Sequence, residues 1–163
     1  MINKIYHSWE QIEGACLDLA RQMLLDNWKP DYIVGVTRGG AIPAILLSQY
    51  MNVPMKPLHV SLRDNIDTVS DCSMAEDAFQ GKKILIVDDI NDQGSTIAWI
   101  KKDWESSALP THPNWKNIWG GNVRFAVITD NSSSNETVDY FVHEVDKAVK
   151  DCWIVYPWED FWL

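Results

Sequence analysis

Apolar positions along the chain follow two alternating periods. Ile12, Cys16, Leu19, Ala20 and Met23 repeat at helical spacing, and Ser8 with Gln11 three residues later makes a capping-box pattern, which predicts a helix over residues 8–26. Lys29-Pro30 stops it. Tyr32-Ile33-Val34-Gly35-Val36 then reads as a short buried strand, ending at the turn Arg38-Gly39-Gly40. A second helix is predicted from Ala41 to Asn52 through Ile45, Leu46 and Tyr50, followed by a strand around Leu58-His59-Val60. Residues 62–81 are polar and acidic without a clear period and read as a loop.

The strongest strand signal is Ile84-Leu85-Ile86-Val87. This continuous apolar run suits a central parallel strand covered on both faces, and it ends in Asp88-Asp89. Gly94-Ser95-Thr96 opens a helix carrying Ile97, Ile100 and Trp104. Residues 106–121, with two prolines and two glycines, read as a surface excursion that Trp115 and Trp119 either pin to the core or offer to a partner or lid. Further strands are predicted at Phe125-Ala126-Val127-Ile128, at Tyr140-Phe141-Val142 and at Cys152-Trp153-Ile154-Val155-Tyr156. Strands alternating with helices predict an α/β fold, a central parallel sheet flanked by helices, in a single domain over residues 1–163.

Composition narrows the function. A net charge of -9 repels phosphate backbones and anionic lipid, which argues against a non-specific nucleic-acid binder. No apolar run reaches the roughly 18 residues of a membrane span, and the N-terminus lacks a secretory layout. Three cysteines without ligand spacing fit buried thiols in a reducing compartment, so the cytoplasm is expected. Nine tryptophans are many for 163 residues and hint at an association surface.

Ligands of open parallel sheets gather beyond the carboxyl ends of the strands, and two such ends carry candidate chemistry here. Thr37-Arg38-Gly39-Gly40 sets a cation beside two glycines whose amides can approach an anion; its plainer explanation is a strand-to-helix turn. Asp88-Asp89-Ile90-Asn91-Asp92-Gln93-Gly94-Ser95-Thr96 crowds three carboxylates before a helix start. Like charges that close are unfavourable without a metal, hydroxyls or a cationic ligand, and a helix cap explains one carboxylate at most. Ionised carboxylates accept hydrogen bonds from a sugar diol and can hold hydrated Mg²⁺, and the helix start at Gly94-Ser95-Thr96 suits a phosphate. A second, pyrophosphate-like group suits Arg38 and Gly39. Phosphoribosyl pyrophosphate carries all of these groups.

Residues 84–96 resemble the signature of type I phosphoribosyltransferases: a hydrophobic strand, two acidic residues, a third aspartate and Thr-Gly-x-Thr, with Gln93 in place of the first threonine. Thr37 to Gly40 resembles the pyrophosphate loop of that family. Trp153-Ile154-Val155-Tyr156-Pro157-Trp158-Glu159 is similar to the C-terminal hood of bacterial xanthine-guanine enzymes, a hood expected here over about residues 129–163. The resemblance implies transfer of a phosphoribosyl group to a nucleobase, a 6-oxopurine such as hypoxanthine, xanthine or guanine, in purine salvage. It also implies Mg²⁺ as cofactor and a homo-oligomer, dimer or tetramer.

By the same resemblance, Asp88 and Asp89 bind the ribose hydroxyls and the metal, and Asp92 handles the proton of the base. Gln93, Gly94, Ser95 and Thr96 hold the 5-phosphate, with Arg38 and Gly39 on the pyrophosphate. Trp153 stacks on the base, Ile154 reads it through its main chain, and Glu159 supports its exocyclic edge or a metal. The 6-oxopurine enzymes carry a base-reading lysine after the strand that contains Phe125. Here Thr129-Asp130-Asn131-Ser132 stands there, and Asn131, able to donate or accept, takes the base-binding role, which leaves two readings: a 6-oxopurine bound more weakly, or a different base. Arg63 is the one basic residue between Ser61 and Gln80. Two other readings use the same acidic cluster. One is a non-catalytic regulatory protein that binds phosphoribosyl pyrophosphate, which has less need of Asp92; the other is a phospho-acceptor receiver domain, whose acidic pair follows an earlier strand.

Overall fold

Parallel pairing organises the chain into two sheets. The computed structural model describes residues 1–60, 62, 72–110 and 112–162, the last three as backbone only. Strands β2 (Tyr32–Thr37), β3 (Met55–His59), β4 (Ile84–Asn91), β5 (Val123–Asn131) and β6 (Tyr140–Val145) form a five-stranded sheet in the order β3-β2-β4-β5-β6. All of its pairings are parallel. Pro57, which has no amide to donate, lies on edge strand β3. Strand β1 (Asn3–Tyr6) pairs with β7 (Cys152–Val155) in a separate two-stranded parallel sheet, and a 3₁₀ turn, Pro157–Trp162, follows.

The alternation of β4 explains its central place. Leu85 and Val87 pack with helix α1 (Trp9–Leu25) and helix α2 (Ala41–Met51) in one core, with Ile12, Leu19, Met23 and Leu47. Ile84 and Ile86 face the other core, with helix α3 (Cys72–Phe79), helix α4 (Ser95–Ser107) and the short helix α5 (Trp115–Ile118). Helix α1 begins with the expected capping box between Ser8 and Gln11, and Asn52 ends α2 in the left-handed conformation.

Three sequence expectations change. Residues 72–79 are helical where a loop was expected: Met74, Ala75 and Ala78 give α3 one apolar face buried in the second core, while Glu76 is exposed. Residues 63–71, including Arg63, lie outside the described residues. Strand β1 was not expected, because Asn3-Lys4-Ile5-Tyr6 has no apolar run and exists only by pairing with β7. Strand β3 starts earlier than expected, at Met55. The excursion after α4 is pinned to the second core: Trp115 is buried and stacks on Trp119, 5.6 Å between ring centres, and Trp119 stacks on Phe125 at 6.0 Å. Cys16 and Cys152 are buried free thiols, whereas Cys72 is exposed. No helix among the described residues is long and apolar enough to cross a membrane.

Candidate active site

The strand order reverses between β2 and β4. The chain leaves β2 toward β3 on one side and leaves β4 toward β5 on the other, so a crevice opens at the carboxyl ends of this central pair. Pairing of β2 with β4 ends at Gly35 with Val87, while β4 continues alongside β5 as far as Asn91 with Asp130. Asp88 and Asp89 therefore belong to the strand itself, on a stretch whose β2 side is open.

The turn after β2 packs directly on this stretch. A Cβ at Gly40 would run into the Val87 carbonyl oxygen and come within 2.8 Å of the Asp88 Cα; one at Gly39 would meet the Asp89 carboxylate, 2.5 Å from Cγ. Only glycines allow so close an approach. Arg38 is exposed at the rim of the crevice, next to Thr37, whose hydroxyl lies 3.2 Å from His59 Nδ1 at the end of β3.

The acidic pair is held by its own backbone. Asp88 Oδ1 accepts from the Asp89 amide at 2.9 Å, and Asp89 Oδ1 accepts from the Ile90 amide at 2.8 Å. Burial pushes the Asp88 carboxyl well above the usual range, and the neighbouring Asp89 charge adds to the rise. Asp89 is pushed up to about 6, first by burial and then by the Glu159 carboxylate, against the hydrogen bonds that favour its ionised form. The Tyr156 hydroxyl donates to the Asp89 carbonyl at 3.0 Å and lies 3.0 Å from the buried Thr129 hydroxyl, tying the C-terminal segment to the floor of the site. Glu159 accepts from the Tyr156 amide at 3.2 Å and closes the 3₁₀ turn, a structural use beside the ligand role expected of it. Trp158 stacks on Tyr156 with ring centres 5.0 Å apart.

Gly94 enters α4 with φ of 87°, and no side chain caps the helix start. Asp92 is thus not a helix cap. Its carboxylate instead pairs with the Lys147 ammonium at 3.0 Å. Gly94, Ser95, Thr96 and Ile97 of this helix start line the same crevice, and an uncapped helix N-terminus there suits an anion.

A cavity of about 860 Å³ unites these parts, within the size range of small-molecule sites. It is lined by Arg38, Gly39, Asp88, Asp89, Asp92, Gln93, Gly94, Ser95, Thr96, Trp153 and Ile154. Trp153 is 47% exposed, so it is a face available to a ligand rather than a core side chain. No described residue of 106–121 lines the cavity. Asn131, expected at the base, lies outside it and is 5% exposed. Its Nδ2 donates to the Asp92 carbonyl at 2.7 Å, and its Oδ1 accepts from the Ser133 hydroxyl at 2.8 Å and the Lys147 amide at 3.0 Å. Both the nitrogen and the oxygen of this amide are engaged within the protein, and the side chain joins two backbone segments beside the cavity.

Lys147 is the residue that sequence reasoning missed. It follows β6, lines the cavity, and carries no local mark in sequence that separates it from Lys150. No group of three or more His, Cys, Asp and Glu among the described residues could hold a metal unaided. Two packed carboxylates whose charges lack full compensation do suit Mg²⁺, which binds through one or two carboxylates and completes its shell with water and substrate phosphates.

Comparison with known proteins agrees with this geometry. The phosphoribosyl transferase domain family matches residues 3–159. A xanthine-guanine phosphoribosyltransferase of Idiomarina loihiensis is 28% identical over 164 residues, spanning 96% of this chain and 87% of that relative. A hypoxanthine-guanine phosphoribosyltransferase of Schizosaccharomyces pombe is 24% identical, over 96% of this chain and 89% of its own length. Among solved structures, the purine phosphoribosyltransferase from Pyrococcus horikoshii superposes with a TM-score of 0.69 at 25% identity, covering 98% of this chain and 97% of that one. A parallel sheet with its cavity at the strand reversal, and a family match over nearly the whole length, lead to one conclusion: the chain belongs to the phosphoribosyl transferase domain family and is an enzyme of the phosphoribosyltransferase class.

Proposed function

We propose that the protein transfers the 5-phosphoribosyl group of phosphoribosyl pyrophosphate to a purine base, a 6-oxopurine, releasing pyrophosphate. The observation that carries this reading is the contact between the Gly39 turn and the Asp89 carboxylate at the strand reversal, with the uncapped α4 start on the same cavity. In this reading the diol of the ribose rests on Asp88 and Asp89, its 5-phosphate on the amides of residues 93–96, and its pyrophosphate on Arg38 and Gly39. Asp88 and Asp89 would hold Mg²⁺ together with the substrate, and the ion would supply countercharge for the departing pyrophosphate.

The bond from the anomeric carbon to the pyrophosphate oxygen breaks as a bond to a base nitrogen forms, through a cationic, oxocarbenium-like sugar. Carboxylates below that sugar interact more strongly with the transition state than with the ground state, which is the condition for acceleration. Asp92 accepts the proton that the base gives up, and Trp153 and Ile154 bound the base. Curated relatives named for xanthine, hypoxanthine and guanine support the choice of purine.

A role in purine salvage in the cytoplasm accords with the free thiols. Self-association as a dimer or tetramer accords with the exposed Leu24, Leu25 and Ile45 on α1 and α2. Steady-state release of pyrophosphate from phosphoribosyl pyrophosphate with hypoxanthine, xanthine and guanine tests the reading. Turnover with at least one base and Mg²⁺ is expected; a folded protein silent on all three would overturn it.

A further inference from the structure

The Asp92–Lys147 pair is built rather than incidental. Asn131 donates to the Asp92 carbonyl at 2.7 Å and accepts from the Lys147 amide at 3.0 Å, so one buried side chain fixes both backbones. Their side chains then meet at 3.0 Å, with the lysine side chain only 17% exposed and both residues on the cavity wall that includes Trp153 and Ile154. An ammonium has three donors, and the acceptor it meets among the described residues is Asp92, whose own side chain is 41% exposed on the same cavity wall. The wall of the cavity therefore offers a donor and an acceptor side by side.

A purine presents its C6 substituent and N7 side by side along one edge. With an oxygen at C6 that edge offers an acceptor next to N7, and with an amino group it offers a donor. We propose that Lys147 is the specificity-determining residue of the base site. Its ammonium donates to the C6 oxygen of a 6-oxopurine while Asp92 faces N7, and a 6-aminopurine, which sets donor against donor, is rejected. This rests on the base occupying the cavity as proposed above. The cation reaches the base from the segment after β6, and Asn131 serves as the positioning residue that holds it there.

The test uses the full-length protein and its Lys147→Met and Lys147→Arg variants, with Lys150→Met as a control on the same segment, where Lys150 is exposed. Turnover is measured with hypoxanthine and adenine, and calorimetry gives the affinities for the nucleotides inosine and adenosine monophosphate. Lys147→Met should lower kcat/KM for hypoxanthine about 10- to 100-fold, the range for a hydrogen bond to a charged group, and bring the hypoxanthine-to-adenine ratio toward parity. The KM for phosphoribosyl pyrophosphate should hold, Lys147→Arg should restore most of the ratio, and Lys150→Met should resemble the parent. Equal losses with both bases, or an unchanged ratio, would overturn the role of Lys147 while leaving the transferase reading intact. A parent protein without turnover would sink the transferase reading alone. The nucleotide affinities would then decide the role of Lys147: an inosine preference lost in Lys147→Met supports it, and a preference that is absent or survives refutes it.

Discussion

Adding one methyl group at Gly39 separates a glycine kept for the ligand site from one kept for the turn. A Cβ there would lie 2.5 Å from Asp89 Cγ and 2.8 Å from Oδ1, clashing with the end of a side chain and not with backbone. To regain van der Waals distance the carboxylate must retreat by about 1 Å. A misplacement of that size in a catalytic constellation costs on the order of 10²-fold, or about 2.7 kcal/mol of transition-state stabilisation. Gly39→Ala should therefore lose about 10²-fold in kcat/KM for phosphoribosyl pyrophosphate while its unfolding midpoint stays within about 4 °C of the parent, since only a side-chain end has to move. Gly40→Ala makes the contrast: its methyl group meets the Val87 carbonyl and the Asp88 Cα, so stability should fall with activity. Steady-state kinetics beside thermal unfolding read both. A Gly39→Ala protein with parental kcat/KM would refute the claim that the turn sets the position of Asp89.

The acidic pair should cost the ligand-free protein stability. Asp89 is held at about 6 in the folded state against 3.8 as the ordinary value, so its stabilising share is full below pH 3.8 and lost as pH rises through 6. At neutral pH Asp89→Asn should thus raise the stability of the metal-free, ligand-free protein by about 1–3 kcal/mol, discounted for partial exposure, with the gain shrinking at pH 5. Denaturant unfolding at pH 7.5 and 5 checks this, and a variant less stable than the parent at pH 7.5 would count against it. Tyr156→Phe removes the hydroxyl between the Asp89 carbonyl and buried Thr129; it should lose about 1–3 kcal/mol of stability, and an unchanged midpoint would mean that the link carries nothing.

The parts of the fold that declare themselves in sequence are those whose partners are nearby or whose burial is two-sided. The apolar run of β4 and the capping box of α1 are local signals, and both stand in the structure where the pattern set them. The acidic residues after that run are also brought to the cavity with Arg38 and Gly39, because the reversal of strand order puts the ends of β2 and β4 side by side. Strand β1 is different: its four residues acquire their structure only from β7 at the far end of the chain, a pairing that no local pattern encodes. The apolar face of α3 was hidden among acidic neighbours, its buried positions being one methionine and two alanines. Lys147 enters the cavity through the side chain of Asn131, a residue whose amide looked suited to a ligand and is used instead to join two backbones.

Isothermal titration of phosphoribosyl pyrophosphate into the protein in Mg²⁺ measures the central claim most directly, with the double variant Asp88→Asn/Asp89→Asn alongside. Saturable one-to-one binding is predicted for the parent, weakened at least about tenfold in the double variant, the loss expected of hydrogen bonds to charged groups. A parent that does not bind, or a double variant that binds as tightly as the parent, would contradict the assignment of the acidic pair to the activated sugar.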